Sequence, residues 1–107
     1  MTGVLSGFES SYWDTASGTT TIRVDSCGSQ YNLGTAYSST SLVLWENLAW
    51  QPDINRGSQG YSCAANGGST YGGSRSWTHS NGRYYFSVGS TPGNLNMNAS
   101  GNTNYPG

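Results

Sequence analysis

Leu, Ile, Val and Phe supply only 14 of the 107 residues, and this scarcity of aliphatic side chains constrains the fold more than any other feature of the sequence. A chain so poor in them stays unfolded when it also carries a high net charge, because it cannot bury enough apolar surface to offset its conformational entropy. Here the formal net charge is only −1, and 4 Trp and 8 Tyr restore the missing apolar area. The chain is therefore read as folded, around a core or binding surface that is aromatic rather than aliphatic. Gly, Ser, Thr and Asn fill just over half the sequence, which suits turns and polar strand faces and works against helices. The expectation is all-β, in one domain spanning residues 1–107.

Charge and hydropathy exclude several function classes. Four Arg and no Lys against five acids cannot generate the basic field that nucleic-acid binding requires. The longest apolar run, Leu42-Val43-Leu44-Trp45, is far too short to insert as a membrane-spanning helix. The N-terminus has no charged segment followed by an apolar one, so the chain reads as a mature form from which any signal peptide has been cut.

Cys27 and Cys63 fall short of a zinc site, since the single His cannot complete four good ligands. A disulfide is the economical reading, and closing so long a loop stabilises the fold by about 4 kcal/mol in the loop-entropy model. It implies an oxidising compartment, hence a secreted or extracellular protein. The alternative is two unpaired buried thiols behaving as small apolar residues.

Period-2 alternation is the secondary-structure signal throughout. Residues 4–13 put Phe8 and Tyr12 on one side of a strand, and residues 14–18 form a turn. Thr20, Ile22 and Val24 then alternate against Thr19, Thr21, Arg23 and Asp25. A short strand is expected around Tyr31 to Tyr37. Thr40 to Asn47 presents Leu42 and Leu44 one way and Val43 and Trp45 the other, as a central strand does. Asp53 to Gly57 reads as a turn, leading to a strand around Cys63. The segments 74–79 and 83–88 flank Ser80-Asn81-Gly82 and predict a hairpin, because Asn-Gly supplies the positive φ of a tight turn. Leu95 and Met97 open a last strand before a polar tail. The predicted core is Ile22, Val24, Leu42, Leu44, Tyr84, Phe86 and Val88. These segments amount to a small antiparallel two-sheet sandwich or jelly roll with about seven or eight strands.

The turn and strand from Ser17 to Val24, the aliphatic strand Ser41 to Trp45, the Gly82 to Val88 strand and the close at Leu95 to Met97 together resemble bacterial prepeptidase C-terminal-type domains. Those are jelly-roll modules attached to secreted peptidases and chitinases. The resemblance spans residues 17–98 and implies the same fold and a binding role. Thr40-Ser41 stand where that family carries an acidic residue, and the cysteine pair is not one of its hallmarks.

No catalytic pattern stands out. His79 has Ser76 and Ser80 nearby in sequence but outside any nucleophile-elbow pattern, so it reads as a residue beside a turn. Glu9 and Glu46 are the least implausible carboxylate pair for glycoside hydrolysis, though a domain this small offers little room for the cleft. Asp53 and Asn55 have the alternate spacing of a calcium loop without its remaining acids, and capping of nearby amides is the simpler reading. No cofactor is expected, and the chain is read as a non-enzyme.

The rings carry more information. Sugars are recognised by aromatic faces against their C–H groups, with planar polar side chains bonding the hydroxyls. Trp13 with Asp14, and Trp50 with Gln51, place a ring beside such a group at strand ends. Trp77 and Tyr85 are expected to share an outer face across the predicted hairpin, whereas Trp45 reads as a core ring. The leading function is accordingly a secreted, non-enzymatic module binding polysaccharide or another cell-surface polymer. An alternative is a self-associating structural protein whose polar strand edges pair between copies. A third reading is a small inhibitor or antimicrobial toxin presenting the loop of residues 64–75.

Overall fold

The computed structural model describes residues 2–107. Seven strands account for nearly all its regular structure: β1 Trp13–Thr15, β2 Gly18–Ser29, β3 Asn32–Asn47, β4 Ile54–Asn66, β5 Gly73–His79, β6 Gly82–Ser90 and β7 Met97–Asn104. The only helical piece among the described residues is a 3-10 turn at Pro92–Asn94. Strands are neighbours in the order β1-β6-β3-β4-β2-β5, with β7 also against β2. The path folds over on itself into two layers, β1-β6-β3-β4 and β5-β2-β7. All pairings are antiparallel except one, a single parallel step between β2 and β4 at Gly28 and Ala64. Beside that step Cys27 and Cys63 are disulfide-bonded with their Cα atoms 4.7 Å apart, so the staple lies where one layer turns into the other.

The core is where period-2 alternation places it. Ile22 and Val24 of β2 meet Leu42 and Leu44 of β3 and Tyr84 and Val88 of β6 in one buried cluster, with Phe86 packed against it half-buried. Two of the polar groups that enter this interior bind across strands. The Tyr61 hydroxyl, almost fully buried, donates to the Ile22 carbonyl at 2.9 Å and so links β4 to β2. Glu46, which continues the inward face of β3, is bonded by Arg56 Nε at 3.0 Å and by Nη2.

Several local expectations give way to longer-range pairing. The predicted 74–79/83–88 hairpin does not form: β5 pairs with β2, while β6 pairs with β3 and β1. Residues 80 and 81 cross from one layer to the other, and neither Asn81 nor Gly82 takes the left-handed φ of a tight hairpin. The reason lies in burial, since Trp77, His79 and Tyr84 all turn inward and the His79 and Tyr84 rings meet at 4.5 Å. Residues 4–12 make only isolated bridges, Val4 to Met97 and Glu9 to Ser87, and the first strand is instead Trp13–Thr15, which starts at the last residue of the expected strand and runs into the expected turn. β3 starts at Asn32 and β4 at Ile54, within stretches read as a short strand and a turn. The polar tail extends β7 to Asn104 through backbone pairing with β2. The 67–72 loop is pinned midway, where Thr70 and Cys27 exchange backbone hydrogen bonds of 2.8 and 3.0 Å.

Candidate functional site

On the outer face of β3 and β6, opposite the core, Trp45 and Tyr85 are cross-strand partners. Their rings stack with centroids 6.3 Å apart and planes 10° from parallel. Tyr12, half-exposed on the segment before β1, meets Tyr85 edge-on at 5.2 Å. Trp45 Nε1 donates to Ser87 Oγ at 2.8 Å, fixing the indole in its plane. Tyr85 is itself buried between its neighbours, and its hydroxyl donates to Asp53 Oδ2 at 2.6 Å. Burial first, then the bond to the Asp53 carboxylate, push its ionisation well above the ordinary phenol range.

Asp53 closes the β3–β4 loop. Its Oδ1 accepts the Leu48 amide at 3.4 Å, while Oδ2 holds Tyr85, so residues 48–53 are fastened at both ends and to the aromatic row. Asn55 Oδ1 accepts the Gly57 amide at 2.8 Å. Both side chains therefore serve the capping role. Trp50 sits at the apex of this loop, 101% exposed and with φ +65°. A left-handed conformation costs a bulky L-residue roughly 1–2 kcal/mol, and a solvated ring gains no burial in return. Gln51 beside it is exposed as well.

The other expected site residues are distributed differently. Trp13 pairs with Tyr84, leans on the core and stacks on Tyr105 at 5.7 Å with planes 20° apart. Its Nε1 is buried without a hydrogen-bond partner. Asp14 points to solvent, where Arg83 Nε and Nη2 donate to its two oxygens at 2.9 and 3.3 Å. The guanidinium holds the Asp14 carboxyl below its usual range. Trp77 is not on an outer face with Tyr85: it is buried in the core, and its Nε1 donates to the Gly57 carbonyl at 3.1 Å. The cause is the strand pairing of β5, which sets Trp77 opposite the fully buried Thr20 rather than beside β6.

His79 has both ring nitrogens engaged. A carbonyl can only accept, so Nδ1 donates to Ser80 O at 2.7 Å and Nε2 takes the Thr20 hydroxyl. Ser76 Oγ bonds Thr21 Oγ1 at 2.8 Å instead, and the ring closes the layer crossing. Sequence reasoning missed Tyr12 and Trp45 as surface rings. The signal was present, because Val43 and Trp45 alternate against Leu42 and Leu44, but seeing Trp45 and Tyr85 as one row requires knowing that β3 and β6 are neighbours.

No family model matches the chain, and no curated protein matches it. Among solved structures, a carbohydrate-binding module described as "CBM4 structure and function" superposes with a TM-score of 0.55 at 13% identity, over 89% of this chain and 60% of that one. A second, "CBM35 from Cellvibrio japonicus Abf62", gives a TM-score of 0.43 at 18% identity, over 96% of this chain and 72% of that one. The likeness to the first is one of fold. The chain has a β-sandwich jelly-roll architecture, as that module does.

Proposed function

We propose that the chain is a non-catalytic carbohydrate-binding module that acts outside the cell and holds polysaccharide against the aromatic row and the β3–β4 loop. Trp50 carries this reading: a Trp kept fully in water, at a strained φ, on a loop anchored at both ends. Strain of this kind persists where a site needs a side chain in a fixed place, and an indole presented edge and face to solvent suits the C–H face of a sugar ring. Gln51 and the Asp14–Arg83 pair offer planar hydrogen-bonding groups for hydroxyls. The Cys27–Cys63 disulfide supports an oxidising compartment, and the fold likeness supports the class.

Retention on insoluble polysaccharides and mobility shift in soluble ones test the reading, run beside a melting curve and a sizing run at two concentrations. Parent protein is retained on at least one glycan, and Trp50→Ala loses retention while melting as the parent does. Equal retention by parent and variant would remove Trp50 from the site. A size that grows with concentration, with no glycan retained, would favour self-association.

A further inference from the structure

The two layers meet along two seams that are closed in different ways. On one side the free edges of β4 and β5 are laced together: the Ser62 amide donates to Gly72 O at 2.9 Å, Gln59 Nε2 to Ser76 O at 2.5 Å, and Trp77 Nε1 to Gly57 O at 3.1 Å. On the other side, among the described residues, no strand ladder joins β7 to β6. The chain ends bridge that gap at its two extremities. Val4 pairs with Met97 before the chain passes to the β6 edge at Gly7 and Ser10, and at the far end Pro106 O accepts Thr15 Oγ1 at 2.6 Å and the Ala16 amide at 3.2 Å while Tyr105 covers Trp13.

Between these two bridges the seam opens over a half-enclosed cleft of about 230 Å³. It is lined by the half-buried Phe86 and the edges of the core residues Ile22, Val24, Leu42 and Ala99, together with Arg23 and the β7 segment 100–103, of which Ser100 and Asn102 are exposed. The walls are fixed by backbone. A Cβ on Gly101 would come within 1.9 Å of Arg23 O, so β7 lies against β2 as closely as a glycine permits. The apolar part of this lining offers water no hydrogen bonds, so water there is poorly held and an apolar guest that displaces it gains affinity. Arg23, at the rim, has its charge matched by Asp25 at 2.7 Å, so the cleft favours neutral guests.

We propose that this inter-layer cleft is a second binding site, separate from the aromatic row, for a small neutral apolar group: one aromatic ring or a short branched alkyl chain whose polar end emerges past Ser100 and Asn102. The site is a property of the seam and does not depend on the glycan reading.

Titration of the intact protein with toluene, read by methyl-resolved NMR, tests it. The expected result is saturable shifts confined to the methyls of Ile22, Val24, Leu42 and Ala99, with a dissociation constant on the order of 1 mM. Ala99→Leu fills the cleft from β7 and abolishes the shifts in a protein that still folds. Ile22→Phe fills it from β2, and is read in the same way should the first variant fail to fold. Absence of saturable shifts in the parent, shifts spread over the whole chain, or shifts that survive in a folded cleft-filling variant would each overturn the proposal.

Discussion

The Tyr85 hydroxyl donates a 2.6 Å hydrogen bond to Asp53 Oδ2, and through it the outer face of β6 fixes the position of a loop whose own chain belongs to β3 and β4. Tyr85→Phe removes the bond and leaves the ring stack with Trp45. A hydrogen bond to a charged acceptor contributes about 1–3 kcal/mol, so chemical denaturation detects a loss at the lower end of that range. Polysaccharide affinity falls several-fold, because the loop then pays for its own ordering on binding. An affinity equal to the parent's would mean that the anchor does not position the site.

Trp50→Gly separates binding from stability in the opposite direction. Glycine adopts φ +65° without strain, so the substitution removes a cost of roughly 1–2 kcal/mol from the folded state, partly offset by the greater freedom glycine gives the unfolded chain. The midpoint of denaturation stays level or rises while glycan retention is lost. A drop of more than about 1 kcal/mol would show that the indole contributes packing.

Trp77→Ala behaves as a core lesion. The indole is buried, and its Nε1 helps lace β5 to β4 through Gly57. Removing such a ring costs about 3–5 kcal/mol, so the variant melts far below the parent. Normal stability would place the ring back on the surface.

Alternation made the interior legible because it is local: each of Ile22, Val24, Leu42, Leu44, Tyr84 and Val88 is flanked by residues that must face the other way. Partner choice is not local. Asn81-Gly82 carries a strong hairpin signal, yet the burial of Trp77 and Tyr84 in facing layers outweighs it. The start of β7 at Met97 was legible but its extension was not, since Ser100 to Asn104 have no apolar alternation and are recruited by the backbone of β2. Of the candidate rings, Trp50 was legible through its place before Pro52, outside any alternating run. Trp45 was not, because a strand that covers both faces does not say which face meets the other layer.

The Cys27–Cys63 bond sits at the parallel step that joins the layers. For a loop of this length the loop-entropy model gives about 4 kcal/mol, which is roughly 15–20 °C in Tm for a domain of this size. A Cys27→Ala, Cys63→Ala double variant melts lower by that order, and unfolded, unreduced parent shows no free thiol. A shift of only a few degrees would mean that the Gly28–Ala64 step holds the layers together unaided.

Alkaline stability follows from two tyrosines. Burial raises Tyr61 above the ordinary phenol range, with Arg75 opposing only in part, and burial together with Asp53 raises Tyr85. In both cases the folded state holds its proton more tightly than the unfolded chain, whose phenols ionise near pH 10. The stability these groups contribute is complete below about pH 10, and above it the folded state binds more protons than the unfolded one, so unfolding free energy falls with rising pH. Ionisation would also remove the two donors that reach Ile22 O and Asp53 Oδ2. Tm measured from neutral pH upward stays flat in this respect until about pH 10 and then declines toward the raised folded-state values. Tyr85→Phe starts from a lower Tm and declines less steeply, because one of the two linked protons is gone. A parent and variant with the same alkaline slope would show that Tyr85 ionises alike in the folded and unfolded chain, and that the Asp53 contact does not hold its proton.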